Sequence, residues 1–171
     1  MTTECTEVSF DFQRLASREV TARFDGGTIT SDAGALLLRE LEEKTGIIRR
    51  FAQGFEDFRD PDLAEFSVLE LLKQRIFALC LGYEDLNDHD QLRKDPLLAV
   101  LAGRRDPTGQ DRRLKRDRGQ PLAGKSTLNR LELTPPGASA ESRYKKIAAR
   151  HDPLEDFFVD TAISLQASPP E

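Results

Sequence analysis

The sequence predicts a mainly α fold, a helical domain with a small N-terminal antiparallel β element. Three observations carry this. Branched and aromatic residues alternate with polar ones near the start, at Val8, Phe10 and Phe12 and again at Val20, Ala22 and Phe24. Beyond residue 30 the apolar residues recur at helical spacing, with capping residues and glycines between the runs. A length of 171 residues corresponds to about one domain. Even with only 38% hydrophobic residues, such a chain buries roughly two thirds of its unfolded surface.

The elements follow in order. The two alternating runs read as short strands facing one core. Asp25-Gly26-Gly27 supplies residues that tolerate positive φ, and Thr28-Ile29-Thr30 continues extended. Ser31 or Asp32 can cap a helix beginning near Ala33, with Leu37, Leu38 and Leu41 on one face and Gly46 as its stop. A second helix runs from Ile47 to about Gln53. Ser67 to Leu81 (SVLELLKQRIFALCL) carries an apolar stripe of Val68, Leu71, Leu72, Ile76, Leu79 and Cys80, with Glu70, Lys73 and Gln74 opposite; Gly82 ends it. Leu86–Arg93 is a short polar helix, and Pro96 opens another over Leu97–Leu101. Helix, glycine turn and short helix fit a helix-turn-helix and equally a small helical bundle. Residues 103–124 hold four glycines, two prolines and the run RRLKRDR, and read as a mobile connector. Ser126 then caps a helix that lasts until Pro135-Pro136, and Glu141–Arg150 and Leu154–Leu165 read as two more amphipathic helices. The resulting organisation is a β element at 1–30, a helical region with a possible helix-turn-helix at 31–103, a basic linker at 104–125 and a helical segment at 126–171.

Charge is segregated along the chain. Residues 1–100 carry 12 Lys and Arg against 20 Asp and Glu, residues 101–150 carry 13 against 5, and residues 151–171 carry none against 5. Local positive density is what counterion release rewards, so the basic block fits a polyanion; it equally fits a solvated loop that balances acidic neighbours. No run approaches the roughly 18 apolar residues of a membrane span, and MTTECTEVSFDF lacks the basic and apolar regions of a secretory signal. Cys5 and Cys80 are too few for a disulfide scaffold or a four-cysteine zinc site, which places the chain in a reducing, cytoplasmic compartment.

Chemistry-bearing motifs are sparse. Gly119-Gln120-Pro121-Leu122-Ala123-Gly124-Lys125-Ser126 satisfies the phosphate-loop pattern G-x-x-x-x-G-K-[ST]. The charged residues before it cannot form the buried strand that such a loop needs, and the helix after it has room for only about two turns before Pro135. Asp25, Asp32, Asp57, Asp60 and Asp62 read as turn and cap residues rather than metal ligands. Glu84, Asp85, Asp88, His89 and Asp90 read as a solvated helix face, and Cys80 as a core thiol. No catalytic constellation emerges.

Several blocks, in order, resemble one transposase family. They are FDGGTITSDAG followed by LLLRE at 24–40, Gln74-Arg75-Ile76, LGYEDLND at 81–88, Leu92-Arg93-Lys94-Asp95-Pro96, KSTLNRLE at 125–132 and Arg143-Tyr144-Lys145-Lys146. Together they resemble the branch of bacterial DDE-type insertion-sequence transposases described as DDE domain group one, over about residues 8–165. The resemblance implies an enzyme that binds the terminal inverted repeats of its element and transfers strands with an RNase H-like domain, whose three carboxylates hold two Mg2+ ions. It further implies that the first catalytic Asp would follow the region near residues 157–170. The expectation is therefore an N-terminal portion without a complete RNase H-like sheet, with no catalytic residue or cofactor of its own, and Mg2+ needed only by the full-length enzyme.

On this reading the chain binds DNA and resides in the cytoplasm, at the nucleoid when bound. Arg112, Arg113, Lys115, Arg116 and Arg118 would contact phosphates. Lys125, Thr127, Asn129 and Arg130 would start a short helix that approaches a groove, where Arg and Asn can pair bidentately with bases. Partners would be DNA and further copies of itself or of full-length transposase. The competing readings are a non-functional remnant, an interaction module that inhibits full-length transposase, and a nucleotide-binding protein acting through the Gly119–Ser126 match.

Overall fold

The computed structural model describes residues 9–23, 32–135 and 137–167. The expected Asp25-Gly26-Gly27 turn, the extended Thr28–Thr30 and the cap at Ser31 lie outside the described residues. Strands β1 (Ser9–Leu15) and β2 (Arg18–Arg23) pair antiparallel, with Phe12 opposite Val20 and Phe10 opposite Ala22. Phe12, Val20 and Ala22 pack against the core, as the alternation requires. The hairpin is also tied down by polar bonds: Arg39 Nη1 donates to the Gln13 carbonyl at 2.7 Å, and Glu40 Oε1 accepts from the Gln13 amide at 2.6 Å.

Helix α1 (Ala35–Thr45) corrects two expectations. Gly34 occupies its N-cap position without a side-chain bond, and Asp32 instead accepts from the Tyr83 hydroxyl at 3.0 Å. The buried face is Ala35, Leu36, Arg39 and Glu42, whereas Leu37 and Leu41 are exposed. Polar residues sit inside because their partners are backbone groups. Arg39 binds the hairpin, and Glu42 accepts the Ile48 and Arg49 amides at 2.7 and 3.0 Å, capping α2 (Ile47–Ala52) from the preceding helix. Gly46 joins the two helices in the left-handed region, φ 62°, where an L side chain is strained.

Strand β3 (Phe55–Asp57) follows, then α3 (Val68–Cys80). Ser67 and Glu70 form a reciprocal capping box that satisfies two orphan amides. Leu71, Leu72, Phe77 and Ala78 of α3 are buried with Leu98, Ala99, Leu101 and Ala102 of α5 (Pro96–Ala102). Lys73 and Gln74, expected on the polar side, are buried as well, while Leu79 and Cys80 are exposed, so Cys80 is not a core thiol. Lys73 reaches Glu43 at 3.2 Å, and Gln74 pairs with Ala123. A 3-10 turn (Leu86–Asp88) and the single turn α4 (His89–Leu92) come between α3 and α5. Helix α4 is a single turn that begins at the wholly buried His89. The burial of His89 also corrects its placement on a solvated face.

The stretch expected as a mobile connector is packed onto the body. Leu122 and Ala123 are buried, and Arg112 is 5% exposed. Gly109 (φ 67°) lets the loop close on itself: its carbonyl accepts the Gly119 amide at 3.1 Å, and a Cβ there would meet Pro121 N at 2.6 Å. Helix α6 (Lys125–Glu132) follows, with Gly124 rather than Ser126 at its N-cap position. The expected helix over 141–150 is a turn followed by strand β4 (Ile147–Ala149), which pairs antiparallel with β3, Phe55 opposite Ala149. Local amphipathicity yields there to a partner strand some ninety residues earlier in the chain. Helix α7 (His151–Ala167) ends the described chain, with Phe157 and Phe158 against Phe51 of α2.

Candidate nucleic-acid interface

Helix α6 is held at both ends by buried polar bonds from α3. The Gln74 side chain treats Ala123 as a strand would: Nε2 donates to the Ala123 carbonyl at 2.8 Å, and Oε1 accepts its amide at 3.0 Å. Gln74 Nε2 also lies 3.0 Å from His89 Nδ1, which must therefore be the acceptor nitrogen of a neutral ring. Burial pushes the pKa of His89 down to about 4, in keeping with that neutrality. At the other end Arg75 binds Glu132 and the carbonyls of Tyr83 and Glu84. Leu128 and Leu131 are buried, so α6 turns Lys125, Ser126 and Arg130 outward.

Two adjoining depressions flank this outward face. The first, about 480 Å³, lies between α6, the 112–117 loop, the chain around Arg59–Phe66 and residues 144–147. Its lining holds six Lys or Arg side chains against three carboxylates. Arg59, Arg93 and Arg112 are engaged with Asp57, Asp117 and Glu65, respectively. Arg130 and Lys146 have no hydrogen-bond or ion-pair partner for their charged ends among the described residues, and Arg116, 81% exposed, lies only at the edge of contact with Asp117. The second depression, about 610 Å³, is lined by Lys125, Arg130 and Lys145, by polar Asn87, Ser126 and Asn129, and by no carboxylate. Arg130 and Tyr144 border both.

The expected site residues divide accordingly. Arg112 is an internal residue. Its guanidinium binds Glu65 Oε2 at 3.1 Å and the carbonyls of Gln120 and Leu122, and it lies 4.7 Å from the centre of the Phe66 ring. The Arg112 hydrogen bond holds the Glu65 carboxyl below its usual pKa. Arg113 is exposed but donates to the Asp62 carbonyl at 3.1 Å. Lys115, Arg116 and Arg118 are exposed, and of these Arg116 lines the first depression. Lys125 pairs with Asp90 at 3.0 Å and Asn87 at 3.1 Å, Thr127 lines the first depression and Asn129 the second. Around Arg130 the structure therefore brings together Arg116, Lys125, Thr127 and Asn129, and adds Arg143, Tyr144, Lys145 and Lys146, which reasoning on the basic run alone passes over. Their signal in the sequence was the RYKK cluster just before a three-residue apolar run.

Other chemistry is limited. Residues 119–124 follow a 3-10 turn (Lys115–Asp117), not a strand, so the Gly119–Ser126 motif lacks the framework of a phosphate loop. Among the described residues no group of three or more His, Cys, Asp or Glu could hold a metal ion. No described helix is long and apolar enough to cross a membrane.

A family model described as Transposase DDE domain group 1 matches residues 12–170. No curated protein and no solved structure matches the chain. The match spans nearly the whole sequence and includes every element that builds the basic face. A transposase family implies interaction with DNA in general, in keeping with a cationic surface around an exposed helix. The chain belongs to the Transposase DDE domain group 1 family.

Proposed function

We propose that this region binds DNA for transposition, holding the terminal inverted repeats of its element against the basic face around α6. One observation carries the reading: Arg116 and Arg130 are exposed and, with the half-buried Lys146, line one depression with no ion pair closer than the 3.9 Å contact of Arg116 with Asp117, while the other arginines of the same depression are neutralised internally. Uncommitted cations gathered on one face are what phosphate contact requires. Arg130 and Asn129, on the outward side of α6, are the side chains suited to base edges, and Arg112 holds the loop that presents them.

Fluorescence anisotropy with a labelled inverted-repeat duplex and a scrambled duplex of equal length tests this. The expected result is binding of both, tighter for the repeat, and at least tenfold weaker binding by Arg116→Ala/Arg130→Ala/Lys146→Ala. Absence of binding at low salt would refute it. A second reading, an assembly surface, is favoured by one feature: Phe158, Val159, Ile163 and Leu165 of α7 are all more than half exposed, on a helix that also carries four carboxylates. Sedimentation across protein concentrations tests it, and a monomer throughout would exclude self-assembly.

A further inference from the structure

We propose that Tyr144 is a stacking platform for an unpaired nucleobase, so that the basic face prefers DNA with a single-stranded end over a closed duplex. This rests on the DNA reading above and deepens it by naming the form of DNA the face accepts. Tyr144 is 61% exposed and forms the wall shared by the two depressions. The Arg143 guanidinium lies 5.0 Å from its ring centre, holding the ring from one side. The backbone beneath is held as well: the Lys146 carbonyl accepts the Phe58 amide at 2.7 Å, Ile147 pairs with Asp57, and Lys145 Nζ donates to the Leu133 carbonyl.

Phosphate contact alone calls for cations, and Lys125, Arg130 and Lys145 supply them beside the ring. An exposed aromatic ring adds nothing to that contact. A paired base inside a duplex offers no open face to a tyrosine, but an unpaired base does, and base–aromatic stacking tolerates any sequence. A charged backbone track with an aromatic set between its cations is the arrangement by which single strands are held.

The test uses the full chain and two labelled DNAs, a blunt duplex and the same duplex with a short single-stranded overhang carrying 2-aminopurine. The parent is expected to bind the overhang DNA about tenfold more tightly and to quench the 2-aminopurine. Tyr144→Ala should lose that preference and the quenching. Tyr144→Phe should keep both, since the ring and not the hydroxyl is at work. The sequence contains no Trp, so Tyr144→Trp provides a single emitter whose quenching by the overhang reports stacking directly. Equal affinity of the parent for both DNAs, or a preference that survives in Tyr144→Ala, overturns the proposal and leaves the DNA reading standing. Failure to bind either DNA overturns both.

Discussion

Arg112→Ala separates scaffold from contact surface. Arg112 stands in the most basic run of the sequence, yet its guanidinium is inside, between Glu65, two carbonyls and the Phe66 ring. Removing one partner of a buried ion pair costs about 3–5 kcal/mol, because the other charge stays behind. Glu65 has a side chain 21% exposed and can partly rehydrate, so the lower end applies, about 3 kcal/mol. For a chain of this size that is a drop of roughly 10 °C in Tm, read by circular dichroism at the helical band. Arg112→Lys should recover only part, since an ammonium cannot span the carboxylate and the carbonyls as the planar fork does.

The pH dependence gives a second signature. A carboxyl held below its ordinary value in the folded state stabilises above the unfolded pKa, near 4.5 for Glu65, and that stability is lost as pH falls through the lower folded value. Parent stability should therefore fall more steeply below about pH 4.5 than that of Arg112→Ala. If Arg112→Ala melted within a degree of the parent while losing DNA affinity as Arg116→Ala does, the internal role would be wrong.

Gly54→Ala should destabilise by about 1–3 kcal/mol in urea unfolding, because the new Cβ would sit 2.4 Å from Leu154 Cδ2 and push α7 off its seat beside α2. His89, with a folded pKa of about 4 against an unfolded 6.5, gives the unfolded chain the greater proton affinity between those values. Stability should therefore rise with pH from about 4 to 6.5, and His89→Leu should flatten that window; Asp106, held at about 2 by the Thr108 hydrogen bond, acts only at lower pH. Lys125→Ala should leave Tm within about 2 °C, as its pair with Asp90 is nearly half exposed, yet weaken DNA binding measured by anisotropy.

The parts of the fold that were legible in the sequence are those whose signals are local. The alternation at Phe10–Phe12 and Val20–Ala22, Gly46 as a stop and Pro96 as a start each specify their element within a few residues. What escaped was decided at long range. Strand β4 forms because β3 offers an edge, Gln74 is buried because Ala123 satisfies both ends of its amide, His89 is buried with its Nδ1 bonded by Gln74, and Arg39 and Glu42 displace Leu37 and Leu41 from the core by bonding backbone. The site followed the same rule. The basic run pointed to the correct neighbourhood, but charge along a chain does not say which cations are neutralised internally. Arg112 is neutralised by Glu65, forty-seven residues away, and the RYKK cluster joins the site only when β4 pairs with β3.

The central claim, that the face around α6 contacts DNA phosphates, is tested most directly by the salt dependence of binding. Each phosphate contact contributes about 0.9 to the slope of log affinity against log salt. If Arg116, Arg130 and Lys146 each hold one phosphate, the triple alanine variant should show a slope shallower by about 2.7. Between 50 and 200 mM salt the parent should then lose roughly 40-fold more affinity than the variant. Equal slopes for parent and variant, with both proteins folded, would contradict the account.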